Sequence, residues 1–106
     1  MRSLGATNRL YYAAFHAARA LLATREVDSP KHSGVILLFQ RHFVRTGLVA
    51  ASVAQAFPRA FEKRQKTDYA DFATVEPDEA DRLRAEVHAF MEECARLLDR
   101  LATEEA

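Results

Sequence analysis

The chain has 106 residues, is about half apolar, and carries 15 basic and 15 acidic side chains, four histidines, one cysteine and no tryptophan. That length makes a single domain, residues 1–106, with a core small enough that oligomerisation is a natural supplement, and the cancelling charge argues against a dedicated DNA binder. A lone Cys94 permits no intrachain disulfide and fits a reducing cytoplasm, no apolar run approaches the roughly 18 residues that cross a bilayer, and no secretory signal is visible.

The first predicted helix covers about residues 7–24, where Leu10, Ala14, Ala17 and Leu21 recur at four-three-four spacing. Its alanines allow close approach by a neighbouring helix. A turn follows at Arg25–Pro30. Ser29 reads as an N-cap and Pro30 as the first helical residue, so the second helix is placed at about 30–46, with Val35, Ile36, Phe39, Phe43 and Val44 on its apolar face. Gly47 supplies the stop. A third segment, about 50–67, carries Val53, Phe57, Ala60 and Phe61, and Pro58 either kinks it or splits it in two. Residues 68–76 read as a loop. Pro77 opens the last helix, whose first turn holds Asp78, Glu79 and Asp81 at the positive end. Leu83, Val87, Phe90, Cys94, Leu97 and Leu101 give that helix a sustained apolar seam suited to an antiparallel bundle. The fold class is therefore all-α, an up-and-down bundle of four main helices.

Three polar constellations stand apart from this packing. Arg64-Gln65-Lys66-Thr67-Asp68-Tyr69 crowds cations, a carboxylate and a phenol at a helix end. An arginine fork binds phosphate bidentately and keeps its charge, Asp68 can orient that fork, and Tyr69 can donate a hydrogen bond or take a modification. The plainer reading is a solvated helix end with a local ion pair. Lys31-His32-Ser33 occupies the first turn of the second helix, where exposed N–H groups favour an anion; ordinary capping is the alternative. Arg9, Tyr12 and His16 fall near one face of the first helix, which suits a polar network inside the bundle. No His, Cys or carboxylate group has metal-ligand spacing, so no metal and no cofactor are expected. Cys94, set in the apolar seam, reads as inert packing.

The block from Asn8-Arg9-Leu10-Tyr11-Tyr12-Ala13-Ala14-Phe15-His16 to Leu22, then Lys31-His32-Ser33-Gly34-Val35, then Arg64 through Asp68-Tyr69, together resemble the HEPN family (higher eukaryotes and prokaryotes nucleotide-binding domain), in its small prokaryotic stand-alone branch. The resemblance covers nearly the whole chain. It implies a helical bundle that dimerises, a minimal nucleotidyltransferase as partner, and toxin–antitoxin behaviour. Active members are metal-independent ribonucleases whose motif is Arg, four to six residues, then His; the arginine stabilises charge on the phosphate while the histidine moves protons. Here Arg64 matches the motif arginine, but Tyr69 stands where a histidine is expected. His32 is the candidate to replace it. Relatives usually carry a long helix before the Tyr-Tyr-Ala block, whereas here only Met1 to Thr7 precede it, so that helix is expected to be missing and an apolar groove left for a dimer partner.

Two functions follow from the resemblance, and a third, plainer one stands beside them. The first is a cytoplasmic, dimeric module binding a nucleotide or RNA phosphate through Arg64, Lys31, His32 and Ser33 and partnered with a nucleotidyltransferase. The second is an active metal-independent ribonuclease using Arg64 with Asp68, Tyr69 or His32. The third is a structural adaptor without a ligand.

Overall fold

A computed structural model describes the backbone of residues 2–69 and 77–105 and the side chains of residues 8–65 and 78–104. Helix α1 spans Arg2–Ala23, α2 His32–Phe39, α3 Ala51–Ala54, α4 Ala56–Tyr69 and α5 Pro77–Glu105; a π-helical turn, Gln40–Val44, continues α2. Among the described residues there is no strand. The fold is an all-α bundle in which α1 lies against α2, α4 and α5, and α5 also packs on α3 and α4.

The apolar periodicities expected from the sequence form one core. Ala14, Ala18, Leu21 and Leu22 of α1 meet Val35 and Phe39 of α2, Phe57 and Ala60 of α4, and Leu83, Val87, Phe90, Cys94 and Leu97 of α5. Its centre is aromatic: the Phe39 ring lies 5.4 Å from both Phe43 and Phe90, and Phe57 stacks 5.8 Å from Phe90. Such ring pairs add about 0.5–1.5 kcal/mol each beyond the area they bury.

Helix boundaries follow from local hydrogen bonding. At the end of α1 the Glu26 N–H donates to the Ala23 carbonyl and the Val27 N–H to the Leu22 carbonyl, with Glu26 in the left-handed region at φ 57°. This is a Schellman ending with a non-glycine residue at its left-handed position. The start of α2 differs from expectation. Ser29 does not cap it; the Ser29 hydroxyl accepts the Lys31 N–H at 3.2 Å, and the N-cap is Lys31. A Cβ on Gly34 would come within 2.0 Å of Ser29 Oγ, so the glycine lets this turn fold onto the helix. The second helix then widens into the π turn, closed by the Arg45 N–H on the Gln40 carbonyl, and Gly47 (φ 80°) ends it as expected.

The third segment is split rather than kinked. The break falls at Gln55, and Pro58 sits in the first turn of α4, where its missing N–H has no helical acceptor to satisfy. Helix α4 continues to Tyr69, so the loop expected at 68–76 starts later; residues 70–76 lie outside the described residues. Helix α1 begins at Arg2, upstream of the expected Thr7.

Candidate functional site

The bundle brings Arg64 of the first constellation and His32 of the second to one cluster of aromatic rings. On α1, Asn8, Tyr11, Tyr12 and Phe15 follow three- and four-residue spacing and face α4 and the start of α2. On α4, Phe61 and Arg64 are one turn apart. The Arg64 Nε–H donates to Asn8 Oδ1 at 2.8 Å, and its guanidinium carbon lies 5.3 Å from the Tyr11 ring centre and 5.4 Å from that of Tyr12. The guanidinium is therefore held against two aromatic rings and fixed by an amide (the geometry of paired cation–π contacts).

His32, first residue of α2, packs against the same aromatic rings. Its ring is 4.8 Å from Phe15, 5.5 Å from Tyr11 and 6.3 Å from both Tyr12 and Phe61. The expected approach of His32 to Arg64 is thus indirect: both contact Tyr11 and Tyr12. Lys31 and Ser33 flank it as exposed residues. Asp68 and Tyr69 belong to the last turn of α4, but their side chains lie outside the described residues.

Tyr11 carries more than its place in the sequence pattern suggests. It is fully buried, yet its hydroxyl has no hydrogen-bond partner among the described residues, and burial pushes the phenol up to about 12, against a smaller opposing pull from Arg64. At neutral pH it can donate a hydrogen bond but cannot act as a base. Its signal in the sequence is the helical spacing that it shares with Asn8 and Phe15. Asn8, the anchor of Arg64, opens the block that carries the family resemblance, but the sequence alone assigns it no role. The polar network expected of Arg9, Tyr12 and His16 forms only in part. His16 stacks on Tyr12 at 6.0 Å, while Arg9 turns to a separate hollow of about 340 Å³ with Arg84, His88 and Met91.

A second surface feature lies between α1 and α5. Ala13, Ala17 and Ala20 face Met91, Ala95 and Leu98 across a shallow apolar groove of about 400 Å³ with Cys94 in its floor. Burial pushes the Cys94 thiol up to about 12, consistent with the inert packing expected of it. No helix among the described residues is long and apolar enough to cross a membrane.

A family profile for the HEPN domain matches residues 3–98. The chain is 33% identical to a UPF0332 protein of Thermotoga maritima over 91% of this chain and 73% of that protein. It is also 31% identical to a Methanocaldococcus jannaschii protein named "Putative toxin MJ0142", over 88% of this chain and 63% of that protein. A second protein of that archaeon, "Putative toxin MJ0605", is 33% identical over 88% of this chain and 69% of its own length. The chain thus spans between 63% and 73% of the length of these relatives. No solved structure matches it. A match over nearly the whole chain, carried by an all-α bundle, makes this chain a member of the HEPN family.

Proposed function

We propose that this chain is the toxin-type HEPN component of a cytoplasmic HEPN–nucleotidyltransferase pair, acts as a homodimer, and holds the phosphate of a nucleotide or RNA at the Arg64 shelf. The observation that carries the reading is the placement of Arg64 across Tyr11 and Tyr12, anchored by Asn8. A guanidinium oriented in this way meets a phosphate at low entropic cost, because its position is already set. The apolar α1–α5 groove is the surface on which a second copy would seat; a sedimentation mass of one chain would remove the dimer from this reading.

One observation favours the ribonuclease variant of this function. His32 rests on the same aromatic shelf as Arg64 and is the described imidazole best placed to substitute for the missing motif histidine. In that reaction the RNA 2′-oxygen attacks phosphorus and the bond to the 5′-oxygen breaks. Products are a 2′,3′-cyclic phosphate and a free 5′-hydroxyl. Arg64 offsets the charge developing on the phosphate, His32 accepts the proton from the 2′-hydroxyl, and the departing 5′-oxygen takes its proton from solvent water.

The test is an RNA cleavage and binding assay in EDTA. Wild type is expected to bind RNA at low salt. In the ribonuclease variant it also cleaves, with at least a hundred-fold loss in Arg64→Ala and about 10²–10⁴-fold in His32→Ala. Binding without cleavage, lost in Arg64→Ala, supports the module. Cleavage undiminished in His32→Ala removes that residue from catalysis. Absence of any RNA or nucleotide binding at low salt leaves the structural adaptor.

A further inference from the structure

Several cations on α1, α4 and α5 have an acid within reach. Arg19 pairs with Asp28 and Arg59 with Glu86, both at 2.6 Å, Arg96 pairs with Glu93 at 2.7 Å, and Lys63 pairs with Glu79. The hollow of about 340 Å³ between α1 and α5 is different. Arg9 lines it from α1, and Arg84 and His88 line it from α5, one turn apart on the same face. The rest of its wall is Leu10, Ala13 and Met91. Helix α5 carries nine carboxylates between Pro77 and Glu105, yet none of the described ones lines this hollow. Arg9 and His88 form no hydrogen bond or ion pair among the described residues. Arg84 meets Asp81, an exposed carboxylate of its own helix, at 3.2 Å.

Two guanidiniums facing one hollow repel each other, and a helix so rich in acid could have offset them with a carboxylate. The lining instead joins unneutralised cations to apolar atoms. Met91 is one of two exposed large hydrophobic side chains among the described residues, at 37%. Such a surface fits a ligand with the same two parts, an oxyanion for the guanidinium forks and a small apolar body for Leu10 and Met91. Two guanidiniums match a dianion better than a single carboxylate, and each planar fork takes two phosphate oxygens. His88 can donate one more hydrogen bond from its ring N–H, and the unbranched Met91 thioether adapts to the shape of the apolar part.

We propose that the α1–α5 hollow lined by Arg9, Arg84, His88 and Met91 binds a small organic phosphate monoester, at a site separate from Arg64. Asn8 and Tyr11, which meet Arg64, lie on the α4 side of α1, whereas Arg9 and Ala13 lie on its α5 side. The inference is independent of the phosphate reading of Arg64, and either can fail alone. Ala13 and Met91 also line the apolar groove, so a second copy seated there would add a further wall.

The experiment uses phenyl phosphate as the probe, with inorganic phosphate and phenol as its two halves. The chain has two methionines, Met1 and Met91, so isotopic labelling of methionine methyls gives a local NMR reporter that Met91→Leu assigns. Titrations at one fixed protein concentration compare wild type, Arg64→Ala, Arg9→Gln/Arg84→Gln and the α5 control Arg82→Gln/Arg100→Gln. Circular dichroism checks that each keeps its helix content. Phenyl phosphate is expected to shift the Met91 methyl resonance saturably, with the same Kd in wild type and Arg64→Ala. That Kd is expected to weaken about ten-fold or more in Arg9→Gln/Arg84→Gln and to stay unchanged in the control. Inorganic phosphate and phenol are each expected to bind more weakly than the whole probe. Absence of a saturable shift in wild type overturns the site. So does equal weakening in the control, which would mean diffuse attraction, or phenol binding as tightly as phenyl phosphate, which would leave the cations without a role. A shift lost in Arg64→Ala but kept in Arg9→Gln/Arg84→Gln overturns it as well, and leaves Arg64 as the phosphate site.

Discussion

Tyr11 is the point where stability and function pull apart. A buried hydroxyl without a partner costs about 1–3 kcal/mol, and each such group in a native fold calls for an explanation. The Tyr11 hydroxyl is such a group among the described residues. Tyr11→Phe keeps the ring and its contacts with Arg64, His32 and Phe61 but deletes the unsatisfied oxygen. It is expected to raise stability by about 1 kcal/mol and to weaken RNA binding, because a displaced Arg64 would expose the hydroxyl to the bound phosphate. Equal affinity in mutant and wild type would reduce the hydroxyl to a packing cost. The same substitution has a signature in alkali. Burial lifts the phenol from the ordinary 10.0 to about 12, so above pH 10 the unfolded chain releases a proton that the folded chain retains. Wild-type stability therefore falls as pH rises from about 10 to 12. Tyr11→Phe removes that share of the fall. The decline attributable to Cys94, which starts near pH 9, persists. Thermal melts between pH 7 and 12 separate the two.

Two helix ends carry opposite backbone strain. Glu26 holds a left-handed φ of 57°, and its carboxylate sits at the negative end of α1. Glu26→Gly is expected to stabilise by about 1 kcal/mol, a rise in melting temperature of about 4–8 °C. Gly47 (φ 80°) has no heavy atom within 4 Å of an added Cβ, so Gly47→Ala is expected to destabilise by about 1 kcal/mol through backbone conformation alone. Thermal denaturation followed by circular dichroism reads both signs; a Glu26→Gly melt at or below wild type would contradict the Schellman assignment. These ends also show what could be read in advance. The seam of α5 was legible because one uninterrupted stripe repeats over many turns, and Gly47 because only glycine stops a helix there cheaply. The Ser29-Pro30 pair misleads because its sequence fits a cap. What moves the start of α2 is the space at Gly34, a contact between side chain and backbone that spacing does not encode. The π turn is invisible in the sequence because one turn is too short for its period to differ from that of an α-helix. Arg64 was legible through the resemblance of its block. Its anchor, Asn8, lies 56 residues away in the chain, and only the packing of α1 on α4 joins them.

Charge and core together describe how the bundle is assembled. Helix α5 supplies one wall of the core and most of the acid, while the helices before it supply the other walls and most of the base. Each surface ion pair between them is worth little, roughly 0–1 kcal/mol. Their sum acts at longer range, before the apolar seam closes, and steers the approach as it does for separate charged partners. The Arg59–Glu86 and Lys63–Glu79 pairs mark where that approach ends. A refolding chain thus behaves as a cationic body capturing its own anionic arm. Stopped-flow refolding is expected to slow several-fold between about 20 mM and 0.5 M sodium chloride, as the Debye length shrinks below the separation of the two parts. A rate indifferent to salt would mean that α5 docks by its seam alone. The even balance of acid and base, which first argued only against a DNA binder, then acquires a second meaning: the chain is its own counterion.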